Sequence, residues 1–247
     1  MMREKQNLPF RIVKQGGMEC WFDESCFSDF TPDCFQEPWW RQHGLVLGFS
    51  RGRGMTWFVQ EAGKPSLVLR HYWRGGLIGR LLSDRFMFLG VSRSRAMAEF
   101  ALLSVLREKG LPVPKPAAAR CYRFGLLARA DILIELIPDA QDLVGLLKRR
   151  ALSVDEWQKV GQVICQLHQA GVYHSDLNSH NLLLDSAGKM WVIDFDKSGL
   201  RADGSWKKEM LARLHRSLRK EAGLTSPFYW QEADWEHVMQ GYNNGNV

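Results

Sequence analysis

At 247 residues, with 45% hydrophobic and 24% charged residues, the chain has the composition of a folded protein with a real core, in one domain or two small lobes, which excludes a disordered or fibrous class. No apolar run approaches the roughly 20 residues that span a bilayer, and the charged stretch Met1–Gln15 lacks the apolar centre of a secretion signal. The 33 basic and 27 acidic residues leave a formal charge of +6, which favours an anionic partner, whether nucleotide, acidic glycolipid or nucleic acid.

Residues 1–44 are rich in aromatics (Phe10, Trp21, Phe22, Phe27, Phe30, Phe35, Trp39, Trp40) and are broken by Pro32 and Pro38. They read as an N-terminal extension of short helices or strands packed on a first lobe. Cys20, Cys26, Cys34, Cys121 and Cys165 are odd in number and show no C-x-x-C or Cys/His ligand spacing, so free thiols in a reducing compartment are expected.

The first lobe is predicted over 45–138. Leu45–Leu47 is a strand running into a glycine-rich turn that holds Gly48, Gly52 and Gly54, and Met55–Val59 and Ser66–Arg70 are further strands. Glycines at a hairpin tip let backbone N–H groups approach phosphate oxygens, and Arg51 and Arg53 add positive charge there. A flexible hairpin explains the same residues without any ligand. From Ser94 to Lys109, Ala96, Phe100, Leu103 and Leu106 repeat with helical spacing, and Glu99 lies on the same stripe. An acid on an inward face needs a partner, and Arg70 at the end of its strand is the candidate; the alternative leaves Glu99 bordering the stripe in solvent.

The prolines of Gly110–Pro116 stop that helix. Ala117–Tyr122, Leu126–Ala130 and Ile132–Ile137 follow as three strands, and the second lobe, 139–247, starts near Pro138-Asp139. There Leu143–Arg150 reads as a short helix. Ser153 and Glu156 form a capping box for a helix over Val154–Ala170. Trp206–Lys220 is a basic amphipathic helix, suited either to packing its apolar side in the core or, less simply, to lying on an anionic membrane. A last helix is expected within residues 221–247.

Between these helices lies the stretch with the densest chemistry, His174-Ser175-Asp176-Leu177-Asn178-Ser179-His180-Asn181, followed by Asp194-Phe195-Asp196. Leu182–Asp185 and Met190–Ile193 read as two short strands around the turn Ser186–Lys189, a hairpin that carries Asn181 back towards Asp194. One amide and one carboxylate are a sufficient protein share for Mg²⁺, which keeps phosphate and water on its other positions. Asp176 then stands free as a base for a hydroxyl nucleophile. Taken singly, Asp176 with Asn178 reads equally well as a polar turn, and Asp194 as a strand-end cap.

The ordered pair of motifs resembles the core of the protein-kinase-like fold, in which H-x-D-x-x-x-x-N supplies the base and a metal ligand and D-F-G the main metal ligand. His174, Asp176 and Asn181 match the first. The second reads Asp-Phe-Asp, with Asp196 in place of glycine. The glycine turn is spaced G-x-x-x-G-x-G rather than G-x-G-x-x-G, and Arg70 stands where that fold places a lysine, so Arg70–Glu99 takes the place of its lysine–glutamate pair. The resemblance implies an α+β, two-lobed fold with an antiparallel N-terminal sheet and one helix, a mainly helical C-terminal lobe, and ATP with Mg²⁺ as cofactors.

Further segments narrow it. Arg70-His71-Tyr72-Trp73-Arg74-Gly75-Gly76, Ser94-Arg95-Ala96 with Glu99-Phe100, Gly110–Pro114, the catalytic stretch and Ile193–Lys197 together resemble the 3-deoxy-D-manno-octulosonic acid (Kdo) kinase family of lipopolysaccharide-core kinases, from about residue 45 to 218. That resemblance implies phosphorylation of the 4-hydroxyl of Kdo on a lipid A precursor, with no nucleic acid involved. It also implies a peripheral place on the cytoplasmic face of a Gram-negative inner membrane. It assigns Asp176 as base, Asn181 and Asp194 to the metal, and Gly48, Gly52, Gly54, Arg70 and Glu99 to the nucleotide. Arg74, Lys197 and Lys148–Arg150 are further basic residues for an anionic acceptor, and Asn178 and His180 either touch acceptor or metal or only shape the loop. The alternatives are a heptose kinase or another kinase of the same fold and, in a different class, a nucleotide-binding pseudokinase scaffold, for which the missing lysine speaks.

Overall fold

The computed structural model describes residues 10–51, 54–73 and 84–245. The chain forms two compact units, Met1–Ser104 with Lys115–Leu136, and Val105–Pro114 with Ile137–Val247.

The first unit is built on one antiparallel sheet. Its strands are β1 (Arg11–Gln15), β2 (Met18–Phe22), β3 (Val46–Arg51), β4 (Met55–Val59), β5 (Leu67–His71), β6 (Phe86–Met87), β7 (Pro116–Phe124) and β8 (Leu127–Glu135). They lie in the order β1-β2-β7-β8-β5-β4-β3, with β6 also on β8. The N-terminal residues therefore do more than pack against the sheet: β1 and β2 continue it through β7, with Cys20 opposite Arg120 and Phe22 opposite Ala118.

Pleat alternation gives this sheet two different faces. On one, Cys20, Phe22, Leu67, Leu69, Ala118 and Leu133 share a buried cluster with Cys26, Phe27, Cys34, Phe35 and Trp40 from the segment that includes α1 (Glu37–Gln42). The Trp40 indole N–H is satisfied there by the Cys34 carbonyl at 2.6 Å. Burial pushes the Cys20 thiol up to about 12 and Cys34 well upward too, so these cysteines behave as small apolar residues. The other face carries Trp21 and Arg70 and meets α2 (Arg95–Glu108), where Trp21 stands edge-on to Phe100 at 6.2 Å.

Where three strands were expected over 117–137, the structure has two, since β8 runs unbroken through Asp131. A mid-strand aspartate is disfavoured locally, but Asp131 is 2% exposed and fully engaged. Arg120 holds one of its carboxylate oxygens at 2.8 and 2.9 Å, and His71 Nδ1 the other at 2.6 Å. Tertiary partners override the strand break.

The second unit contains β9 (Gln141–Asp142), α3 (Leu143–Leu147), α4 (Val154–Gln169), β10 (Val172–Tyr173), β11 (Leu182–Leu184), β12 (Met190–Val192), β13 (Gly199–Leu200), α5 (Trp206–Leu224) and α6 (Asp234–Asn244). The capping box of α4 is formed in both directions, with Glu156 N–H donating to Ser153 Oγ and Ser153 N–H to Glu156 Oε2. Helices α4 and α6 cross with their backbones nearly touching. A Cβ on Gly161 would lie 2.0 Å from the Val238 carbonyl oxygen, and one on Gly241 2.0 Å from that of Gln158, so only glycine fits either place. Helix α5 buries Trp206, Met210, Leu211, Leu214 and Leu218, which is the core-packing option of its sequence. The β12 strand is tied to 105–114 by Val192 N–H donating to the Pro112 carbonyl at 3.0 Å.

Candidate active site

In the second unit the loop 174–181 connects β10 to β11, and its backbone is held almost residue by residue. His174 is fully buried. Its Nε2 lies 3.0 Å from the Ile193 carbonyl and its Nδ1 3.2 Å from the Asp176 N–H. Only the neutral ring, protonated on Nε2, satisfies both contacts. Burial lowers its pKa in the same direction. The ring also stands edge-on to Phe195 at 4.8 Å. His174 thus binds the strand end that carries Asp194 to the loop that carries Asp176.

Neighbouring groups complete the mesh. Ser175 donates its hydroxyl to the Asp196 carbonyl at 2.6 Å, and its N–H donates to Ser198 Oγ at 3.1 Å. Arg213 on α5 donates to the Ser175 carbonyl at 2.5 Å. Asn178 and Asn181 both donate side-chain N–H groups to the Asp176 carbonyl, at 3.1 and 2.9 Å. Ser179 is closed onto Ser217 of α5 through its N–H at 3.1 Å and hydroxyl at 2.8 Å. With its backbone fixed, Asp176 presents a side chain that is 56% exposed, with Arg213 Nη1 3.7 Å from Oδ1. This is a carboxylate held still and open to a substrate hydroxyl.

The hairpin brings Asn181 and Asp194 together as expected from their spacing. Leu182 pairs with Val192, and Ile193 N–H donates to the Asn181 carbonyl at 3.0 Å. Its turn is fixed by Asp185, whose carboxylate accepts from Ala187 N–H, Lys189 N–H and the Trp191 indole. Because the Asn181 nitrogen is engaged with the Asp176 carbonyl, its Oδ1 is left as an acceptor. Asp194 takes a left-handed backbone, φ +64°, which a non-glycine residue adopts only where its surroundings impose it. Among the described residues no group of three or more His, Cys, Asp or Glu side chains is placed to hold a metal ion. An amide oxygen and a carboxylate beside a polyphosphate nonetheless fit a hard divalent cation, because phosphate and water supply the remaining oxygens.

Asn178 serves the loop itself, since its Oδ1 also accepts the His180 N–H at 2.9 Å. His180 faces two acids, Asp142 at 3.4 Å and Glu221 at 3.5 Å. Asp142 in turn caps α3 by accepting from Val144 N–H and Gly145 N–H.

In the first unit, Arg70 Nη2 lies 2.7 and 2.8 Å from the two carboxylate oxygens of Glu99, whose side chain is 1% exposed. The Tyr72 hydroxyl also donates to Glu99. Gly48 lies inside β3 rather than in a turn, because pairing of Phe49 with Trp57 and Arg51 with Met55 carries the ladder on past a register shift at Gly48. Gly54 directly precedes β4. Gly52, Arg53, Arg74, Gly75 and Gly76 lie outside the described residues.

Sequence reasoning missed the positioning roles of His174, Ser175 and Arg213. His174 was visible in its motif. Arg213 gave no signal, because its link to the loop depends on how α5 packs.

The α+β architecture, an antiparallel sheet in the first unit and mainly helices in the second, is that of the protein-kinase-like class. The chain belongs to the lipopolysaccharide kinase (Kdo/WaaP) family, which it matches over residues 37–242. It is 43% identical to a 3-deoxy-D-manno-octulosonic acid kinase of Photobacterium profundum, over 90% of this chain and 93% of that protein. Proteins of the same name from Vibrio parahaemolyticus and Vibrio cholerae are each 45% identical, over 87% and 81% of this chain and 90% and 85% of theirs. Membership makes the chain an ATP-using enzyme that transfers phosphate to a hydroxyl.

Proposed function

We propose that the enzyme phosphorylates the 4-hydroxyl of a Kdo residue on Kdo-lipid A during assembly of the lipopolysaccharide inner core. It would work with Mg²⁺ and ATP, as a peripheral protein on the cytoplasmic face of the inner membrane. No helix of the described residues is long and apolar enough to cross a membrane, which suits a peripheral attachment.

The observation that carries this reading is the fixed, exposed carboxylate of Asp176 in the loop that also holds Asn181 beside the Asp194 strand end. Asp176 accepts and orients the proton of the sugar hydroxyl, so that the oxygen's lone pair faces the transferred phosphoryl group. Asn181 and Asp194 are the residues that would hold Mg²⁺, which would supply neutralisation of phosphate charge. Arg70, kept in place by Glu99, and backbone amides of the glycine turn at Gly52 and Gly54 hold the nucleotide, while Gly48, inside β3, falls out of that set. Arginine in the lysine position keeps a permanent charge and several donors, which supports turnover over the pseudokinase scaffold. The names of the relatives favour Kdo over heptose as acceptor.

The test is mass spectrometry and phosphorus NMR of Kdo-lipid A after incubation with the enzyme and Mg-ATP. One added phosphate on O4 of Kdo is expected. Intact, unphosphorylated acceptor in the presence of enzyme with bound ATP would overturn the assignment.

A further inference from the structure

The basic helix α5 is the natural membrane candidate in the sequence, but its apolar side is buried, and Leu224 at its last position is its one exposed large apolar side chain. The exposed apolar surface lies elsewhere. Among the described residues the most exposed large hydrophobic side chains are Leu126 (82%), Leu224 (71%), Met87 (70%) and Leu89 (65%), and all of these except Leu224 fall on one edge of the first unit. There β6 lies along the start of β8, with Met87 opposite Leu127 and Phe88 N–H donating to the Leu126 carbonyl at 2.9 Å. Alternation along this segment turns Arg85, Met87 and Leu89 outward while Phe86 and Phe88 are half-buried.

Positive charge surrounds these apolar tips. Residues 84–95 and 122–130 contain five arginines and a single acid, Asp84, which is paired with Arg129 at 2.6 Å. Arg85 lies over the Phe124 ring at 5.5 Å and Arg123 over Phe88 at 4.7 Å, contacts that hold guanidinium groups at the surface beside the apolar side chains. Arg93 is exposed on the same edge. A cleft of about 230 Å³, lined by Phe86, Phe88, Leu89, Arg93 and Arg95 among others, opens beside it.

We propose that this edge, formed by Arg85, Met87, Leu89, Arg93, Arg123 and Leu126, is the surface on which the enzyme docks to an anionic lipid bilayer. The leucine and methionine tips enter the acyl boundary, the aromatic rings sit at headgroup level, and the arginines meet lipid phosphates. The choice of a bilayer over a protein surface rests on the proposed acceptor, which is itself a lipid.

The test is co-flotation of the full-length enzyme with vesicles of phosphatidylethanolamine alone or mixed with phosphatidylglycerol, together with phosphorylation of an acceptor stripped of its acyl chains. The enzyme should float with the anionic vesicles, and Met87→Asp/Leu126→Asp and Arg85→Glu/Arg93→Glu should each weaken this by roughly tenfold or more. Both variants should phosphorylate the stripped acceptor at the unaltered rate, which shows them folded. Lys208→Glu/Arg216→Glu on α5 should float as before. The proposal is overturned if the edge variants float like the parent enzyme, if only the α5 variant loses binding, or if the parent protein binds neither vesicle. If vesicle binding follows the edge but no Kdo acceptor is phosphorylated, the docking surface stands and the assigned acceptor falls.

Discussion

The two units differ in what they bury. Among the described residues the buried polar side chains of the first unit are acids, Glu99 and Asp131, each held by arginine. Those of the second are His168, His174, Ser179 and Asn181, which carry no charge when the imidazoles are neutral. The first unit fixes the Arg70 guanidinium by burying its counter-charge, Glu99. The second fixes the Asp176 carboxylate by hydrogen-bonding the backbone on either side of it and leaving the charge largely in solvent. Removing one partner from a buried pair strands a charge, whereas removing one bond of a mesh leaves the others in place. Damage in the first unit should therefore appear in stability, and damage in the second chiefly in rate.

The largest effect that can break this contrast is expected from Arg70→Ala, which takes the Arg70 charge away from the buried Glu99 carboxylate. Urea denaturation should show a loss of about 3–5 kcal/mol, with Arg70→Lys recovering part of it. A loss under about 1 kcal/mol would mean that the pair is no more than a surface contact.

Next in size is the pH response of the second unit. Desolvation, with the nearby Lys207 charge, lowers the pKa of His168 from 6.5 to about 4. The native state refuses a proton that the unfolded chain accepts, so the stabilising difference is present above pH 6.5 and is lost as pH falls from there towards 4. The full loss is about 3 kcal/mol from this residue, and His174 shifts in the same direction. A His168→Phe variant should show a flatter dependence of urea midpoint on pH between 6.5 and 4. An unchanged slope would remove His168 from the account.

The smallest effect, and the sharpest test of the contrast, is Arg213→Gln. The substitution removes a charged donor to the Ser175 carbonyl but leaves the other bonds of the loop. It should lower kcat about tenfold, the scale of one charge-assisted hydrogen bond, while the melting temperature stays within a few degrees. A large fall in stability with normal turnover would reverse the assignment of α5 as a positioning element.

Much of this arrangement was legible in the residues. The 3.6-residue repeat around Phe100 put Glu99 on an inward stripe, and a buried acid needs a cation, which Arg70 provides. The Ser153/Glu156 spacing marked the start of α4, and two apolar runs around Ser186–Lys189 gave the hairpin joining Asn181 to Asp194. What sequence could not show depends on contacts between distant segments. Asp131 looks like a strand break until Arg120 and His71 are placed beside it. Gly48 looks like part of a turn until the pairing of β3 with β4 carries it into the ladder. The apolar edge at Met87, Leu89 and Leu126 has no helical or strand-long signature, because it is assembled from a two-residue strand and a hairpin tip.

The most direct measurement of the central claim is single-turnover phosphate transfer by Asp176→Asn, with ATP affinity measured on the same preparation. Loss of the base should slow transfer by about 10²–10⁴-fold while ATP binds within a few-fold of the parent enzyme, since the hydrogen bonds that hold the loop use the Asp176 backbone and not its carboxylate. Transfer at the parent rate would contradict the account and remove Asp176 from the chemistry.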